Sequence, residues 1–151
     1  MFSVEIRELE EKDLDQVMEI ENLCFVSPWK IEDILGEMKR NQFAELLVAT
    51  INEKVVGYVD YWITFDSATI CQIAVHPSYQ RQAIGTKLLI EVFKDCYAQK
   101  VRNITLEVRE SNEKGINFYK KNGFRPFLTK EAYYTNGENA IYMIKENIIN
   151  G

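Results

Sequence analysis

The chain has 151 residues, 46% of them hydrophobic, and a formal net charge of −5 from 18 basic and 23 acidic side chains. That length suits one globular unit around one core, so residues 1–151 are expected to form a single domain. The acidic balance excludes the basic footprint a nucleic-acid binder needs, and it is compatible with a cationic amine or a basic protein as substrate.

No apolar run approaches the roughly 20 residues that span a bilayer. Met1–Glu5 lacks the charged lead and apolar run of a signal peptide. A cytoplasmic protein without a membrane partner is therefore expected. Cys24, Cys71 and Cys96 are an odd number with no CxxC spacing, and His76 is the single histidine. This argues against a cysteine–histidine zinc site, so no metal is expected, and the thiols read as small buried hydrophobes.

Taken in order, Val4–Leu9 reads as a short strand. Asp13 with Gln16 resembles a capping box opening a helix with Leu14, Val17, Met18 and Leu23 on its apolar face. Ser27-Pro28 reads as a second helix start, followed by Ile31, Ile34, Leu35 and Met38 at helical spacing. Ala44–Ile51 and Val55–Phe65 are β-rich, with Asn52-Glu53-Lys54 as a hairpin turn, and Ala68–Val75 is a further strand after an Asp66-Ser67 turn. Ile84, Leu88, Leu89, Val92, Phe93, Cys96 and Tyr97 then make the clearest helical stripe in the chain. Val101–Arg109 is again a strand, and a short helix from about Asn112 stops at Gly123. Phe124–Tyr134, an Asn136-Gly137 turn and Ala140–Lys145 read as a closing hairpin. The order β-α-α-β-β-β-α-β-α-β-β is best buried as an α/β mixed sheet with helices on both faces.

Ile73 to Thr86 runs from a strand through a polar loop into the start of the long helix. Small residues at Ala83, Gly85 and Thr86 let backbone approach a ligand, and the unpaired first-turn N–H groups make a potential pyrophosphate site, with Arg81 and Lys87 nearby. Any helix start offers such amides, so spacing alone favours an ordinary strand–helix connection. It is neither a P-loop nor the three-glycine dinucleotide fingerprint. Glu107 is a lone carboxylate among apolar strand residues, and partial burial is expected to raise its pKa. Position alone leaves it equally readable as a solvent-facing glutamate. Tyr119, beside Ile116 and Phe118, reads by position as packing.

The stretch Gln80-x-x-Ala83-x-Gly85 resembles the Q/R-x-x-G-x-G/A cofactor motif of the GNAT superfamily of N-acetyltransferases, with alanine at Ala83 where that family usually has glycine. Alanine keeps the amide donor but disfavours positive φ. Leu106 to Asn112, Phe118 to Phe124, Cys24 to Trp29 and Tyr133 to Ala140 together resemble the ribosomal-protein-alanine N-acetyltransferase (RimI) family along nearly the whole chain.

The resemblance implies a central, mostly antiparallel mixed sheet of about seven strands and direct transfer of acetyl from acetyl-CoA to a primary amine. The acceptor it implies is the N-terminal alanine of a small-subunit ribosomal protein. Glu107 is then the base and Tyr119 the acid. Ile73, Ala74, Val75, Arg81, Gln82, Ala83, Ile84, Gly85, Thr86 and Asn112 hold the coenzyme, although Asn112 reads equally as a helix N-cap. Phe25, Pro28, Trp29, Tyr133 and Tyr134 line the acceptor groove, where half of such aromatics could be packing. His76 reads as structural. A lysine or small-amine acceptor stays open, as does a non-catalytic acetyl-CoA-binding module, which Ala83 favours. A monomer or weak homodimer is expected.

Overall fold

A computed structural model of the protein describes residues 3–146. Its elements are β1 (Val4–Glu8), α1 (Leu14–Cys24), α2 (Ile31–Arg40), β2 (Ala44–Ile51), β3 (Lys54–Thr64), β4 (Ser67–Val75), α3 (Ile84–Ala98), β5 (Asn103–Arg109), α4 (Glu113–Lys121), β6 (Arg125–Lys130) and β7 (Ala140–Lys145). Seven strands form one sheet in the order β1-β2-β3-β4-β5-β7-β6. Neighbours are antiparallel except β4 and β5, which run parallel. This is the mixed, mostly antiparallel sheet expected from the element order.

Helices cover both faces because each carries one apolar stripe. Ile84, Leu88, Val92 and Cys96 recur every fourth residue along α3 and are wholly buried against Val59, Tyr61, Ile70, Ile104 and Leu106. On the other face Val17 and Ile20 of α1 and Ile34 of α2 bury against Val48, Val55, Tyr58 and Ala74. Each such side chain contributes about 1.5–3 kcal/mol by leaving water. Gly57 lets α3 settle closely on β3, since a Cβ there would lie 3.1 Å from the Ala74 carbonyl and 3.3 Å from Ile84 Cγ2. Among the described residues no helix is long and apolar enough to cross a membrane.

The Asn52-Glu53 turn closes the β2–β3 hairpin as expected, both residues holding positive φ (49° and 67°). Several local expectations are corrected. Asp13 does not cap α1 with Gln16. Its buried carboxylate accepts two bonds from Arg7 at 2.8 Å and one from the Glu10 N–H, while Gln16 accepts from the Val55 N–H. A three-residue 3-10 turn, Glu11–Asp13, precedes the helix instead.

Ser27-Pro28 does not start α2. Lys30 is its N-cap, and Asp33 reaches back to the Lys30 N–H at 2.8 Å. Tyr97 leaves the α3 stripe and is 62% exposed. The closing hairpin has a nine-residue connection, 131–139, and Asn136-Gly137 sits inside it rather than forming a tight turn. Cys96 is buried as expected, but Cys24 and Cys71 are only half-buried.

Candidate active site

The feature that makes a site is where β4 and β5 separate. They pair from Ser67 with Asn103 to Ile70 with Leu106, and then each continues without the other, β4 to Val75 and β5 to Arg109. On its other edge β4 stays bonded to β3. The His76 N–H donates to the Val56 carbonyl at 2.8 Å, and the β3 partners of Ala74 and Ile73 are Tyr58 and Val59. In an antiparallel ladder bonded residues alternate, so Ala74 bonds β3 while Ile73 and Val75 turn their N–H and C=O toward the gap. Of the three strand residues expected to offer amides, Ile73 and Val75 fit. Ala74 does not, as its backbone faces β3 and its side chain is buried with α1 and α2.

The loop after β4 forms the end wall. His76 caps a 3-10 turn, Pro77–Gln82, accepting from the Ser78 N–H at Nδ1, and lies 3.6 Å from Glu19, which bears out its structural reading. Ala83 then holds φ +58°, ψ +25°, the left-handed region, and α3 begins. The first intrahelical bond runs from Lys87 N–H to the Ala83 carbonyl at 3.1 Å. The amides of Ile84, Gly85 and Thr86 are thereby left without a partner inside the helix, together with its positive dipole end. Gly85 has a packing reason, since a Cβ there would lie 3.0 Å from the Phe118 ring of α4. Gln82 and Ala83 are exposed and Thr86 is half-buried. The side chain of Arg81 lies outside the described part of the structure.

The second wall is the start of α4. Asn112 is its N-cap, accepting from the Gly115 N–H at 2.9 Å, so the capping reading is present. Lys114 donates to Gln80 Oε1 at 2.8 Å, and Gln80 in turn donates to the Val75 carbonyl at 3.2 Å. Gln80 thus ties the loop to both walls, a role the motif did not reveal. An open strand edge and a helix start lie at one end of the gap, which fits an extended chain with amides and a polyphosphate, the chemistry of coenzyme A.

Tyr119 is partly exposed. Its ring packs on Phe118 (5.4 Å) and Phe124 (5.9 Å), and burial holds its phenol pKa well above the ordinary value, so it stays protonated at neutral pH. Glu107 lies on β5 one residue beyond the last β4 pairing. It is exposed, not partly buried as expected. Its cross-strand partner is Tyr142 of β7, and the Glu107 carboxylate, with burial as the larger cause, raises the Tyr142 pKa. Tyr142 was missed because its β7 position reads as ordinary strand alternation. Tyr133, 45% exposed, stacks edge-on with Tyr142 (6.3 Å) and Tyr134 (5.1 Å), giving an aromatic wall beside Glu107.

Two charged residues that sequence reasoning passed over tie down the loops that carry the residues expected to line the groove. Arg109 spans the gap between the α1–α2 and β6–β7 connections. It contacts Ser27 Oγ (3.4 Å), Asn136 Oδ1 (3.4 Å) and Glu138 Oε2 (3.1 Å), with its guanidinium 3.8 Å from the Tyr134 ring centre. Glu21 of α1 is fully buried and accepts from the Tyr58 hydroxyl, the Trp29 N–H (2.7 Å) and Gln72 Nε2 (3.2 Å). It thereby fixes the loop carrying Phe25, Pro28 and Trp29. Phe25 and Trp29 pack against the α1–α2 core rather than standing free, whereas Pro28 and Val26, the latter 77% exposed, face outward.

The profile of the Acetyltransferase (GNAT) family matches residues 14–124. A Bacillus subtilis (strain 168) protein with the provisional name [ribosomal protein bS18]-alanine N-acetyltransferase is 37% identical over 139 residues, 91% of this chain and 92% of the relative. The [ribosomal protein bS18]-alanine N-acetyltransferase of Escherichia coli (strain K12) is 33% identical over 141 residues, covering 91% and 94%. The crystal structure of the ribosomal-protein-S18-alanine N-acetyltransferase from Escherichia coli superposes with a TM-score of 0.88 at 30% identity, covering 99% of this chain and 97% of that one.

Proposed function

The chain belongs to the Acetyltransferase (GNAT) family and is an acetyl-CoA-dependent N-acetyltransferase, and on that premise we propose that its acceptor is the N-terminal alanine of a ribosomal protein of the bS18 type. The observation that carries the reading is the parting of β4 and β5 beyond Ile70 and Leu106, with Glu107 at the fork. The names of the relatives supply the acceptor class.

In this reading Ile73 and Val75 present backbone groups to the pantetheine and thioester, the amides of Ile84, Gly85 and Thr86 take the pyrophosphate, and Asn112 adds a side-chain donor. The acceptor N-terminus lies against Pro28, Val26, Tyr133 and Tyr134. An α-amino group has a pKa near 8, about two units below a lysine, so a modest base suffices. Glu107, directly or through one water, takes a proton from the ammonium. The neutral nitrogen attacks the thioester carbonyl, whose oxygen gathers charge facing a strand amide. The carbon–sulfur bond breaks, Tyr119 gives its phenolic proton to the departing thiolate, and the second proton of the attacking nitrogen passes through water to re-form the phenol, leaving the neutral amide. The site works in the cytoplasm, where its substrate is made.

The test is a panel of short basic peptides incubated with isotopically labelled acetyl-CoA and read by mass spectrometry. Label on the α-amine of alanine-initiated peptides, in preference to internal lysines, is expected. Equal labelling of lysine side chains overturns the acceptor assignment.

A further inference from the structure

Beside the fork, on the face covered by α1 and α2, three ligand-bearing side chains from distant segments converge. Glu37 of α2, Asp60 of β3 and Cys71 of β4 each place one donor atom within 4.8 Å of the other two. Asp60 has no exposed surface, and neither of its carboxyl oxygens has a hydrogen-bond partner among the described residues. Buried carboxyls without partners are rare because each forfeits several kcal/mol of hydration.

Cys71 is placed by a β-bulge. The register passes from Asp60–Gln72 to Tyr61–Ile70, so Cys71 opposes no residue of β3, and bulges serve to re-aim side chains. Glu37 is held in place by donors on both oxygens, Trp62 Nε1 at 2.6 Å and Asn41 Nδ2 at 2.9 Å. Each oxygen keeps a free lone pair. Outer hydrogen bonds of this kind are what orient metal ligands.

We propose that Glu37, Asp60 and Cys71 form a binding site for a divalent cation of the zinc class, adjoining the proposed acetyl-transfer site but sharing no residue with it. One thiolate and two carboxylates suit a borderline-soft ion, and three protein ligands leave a fourth position for water. Metal–ligand bonds of roughly 2.0–2.3 Å require donor separations of roughly 3.5 Å in tetrahedral geometry, which small side-chain rotations reach. Without the ion, burial and the neighbouring Glu37 hold a proton on Asp60, whose pKa is pushed up to about 9. Burial, with the charges of Glu37 and Glu107 behind it, likewise keeps Cys71 a thiol. Binding replaces both protons with one dication, releasing two protons to solvent, so affinity must rise with pH. Sequence spacing could not show this site, since its three members are separated by 23 and 11 positions and none is a histidine.

The test is titration of the chelator-treated full-length protein with cobalt(II), followed by displacement with zinc(II). A thiolate-to-cobalt absorption in the near ultraviolet at one ion per chain is expected, with affinity rising tenfold to about a hundredfold per pH unit as one to two protons are released. Cys71→Ser, nearly isosteric and so expected to fold, should abolish the band. Asp60→Asn, checked for folding by circular dichroism, should weaken binding at least tenfold. No band in the parent protein overturns the proposal, as does a band that survives in Cys71→Ser, because Cys24 or Cys96 would then be the ligand. Undiminished affinity in Asp60→Asn overturns it equally, leaving a proton-sharing carboxyl pair.

Discussion

The guanidinium of Arg109 lies over the ring of Tyr134, 3.8 Å from its centre, and the same group reaches Ser27 and Glu138. One side chain therefore joins β5 to both loops of the proposed acceptor groove. Arg109→Met removes the cation–π contact and the charge-assisted bonds while keeping length. Because the Arg109 guanidinium contacts only Ser27, Asn136, Glu138 and Tyr134 and none of the proposed coenzyme residues, acceptor KM should rise about tenfold, ~1.4 kcal/mol, with kcat within about twofold. Arg109→Lys should not rescue it, since an ammonium lacks the planar fork. Steady-state kinetics with peptide as the varied substrate checks this, and a loss confined to kcat refutes it.

The carboxyl of Glu138 offers a pH test of the same clamp. The Ser111 hydroxyl and then the Ser111 N–H, with help from Arg109 and Asn136, pull its pKa down to about 2 from 4.5. The folded value lies below the unfolded one, so the stabilisation is fully present above about pH 4.5 and is lost as pH falls through 2. The difference in melting temperature between the parent protein and Glu138→Gln should be constant above about pH 5. It should close as pH falls from there toward 2. A difference that widens in acid contradicts the assignment.

Most of the fold was legible because it rests on local periodicity. The four-residue recurrence in α3 and the Asn52-Glu53 turn are short-range signals, and the element order follows from them. Burial of charge was not legible. Glu21 looks like any polar helix residue until Tyr58, Trp29 and Gln72 close over it, and those partners come from three other segments. Asp13 misled for the same reason, because Arg7 on the neighbouring strand competes for the carboxylate that a capping box would use. Of the site, the Gln80–Gly85 motif located one wall. The exposure of Glu107, and Tyr142 beside it, needed the β5–β7 register.

Glu21 gives a stability prediction. Desolvation raises its pKa, opposed by the bonds from Tyr58 and Trp29, so the group is held by donors that have nowhere else to turn. Glu21→Ala leaves the Tyr58 hydroxyl, the Trp29 N–H and the Gln72 amide facing a void. We expect a loss of about 2–4 kcal/mol, from unsatisfied polar groups plus the cavity. Glu21→Gln keeps two acceptor lone pairs and should lose less than half of that. Urea denaturation of the two variants decides it, and equal losses would mean that volume rather than hydrogen bonding matters.

The roles proposed for Glu107 and Tyr119 separate kinetically. Glu107→Gln removes the base but preserves shape, so kcat/KM should fall by about 10²–10⁴ with coenzyme affinity unchanged. Its remaining activity should depend more steeply on pH, because hydroxide or water must deprotonate the ammonium. Tyr119→Phe keeps the packing on Phe118 and Phe124, so melting temperature should stay within a degree or two while kcat drops about tenfold or more. An unchanged kcat in either variant, measured with saturating peptide, removes that residue from the chemistry.

Ala83 is the residue at which this chain departs from the usual motif, and its backbone shows the consequence. It holds φ +58°, a region where a Cβ crowds the following carbonyl at a penalty of roughly 1–2 kcal/mol. Glycine escapes that penalty but loses more chain entropy on folding, roughly 0.5–1 kcal/mol. Ala83→Gly should therefore stabilise the protein by about 0.5–1 kcal/mol, a rise of roughly 1–4 °C in Tm at this chain length. The Lys87 N–H to Ala83 carbonyl bond at 3.1 Å shows that the alanine already adopts the conformation that starts α3. The amides of Ile84, Gly85 and Thr86 thus need no rearrangement to meet a pyrophosphate, and the penalty falls on folding rather than on ligand capture. Coenzyme A affinity by calorimetry should change less than about threefold in Ala83→Gly. Ala83→Val, β-branched in the left-handed region, should lower Tm by several degrees. A Kd that tightens tenfold or more in the glycine variant would show instead that the alanine methyl stands in the path of the phosphates.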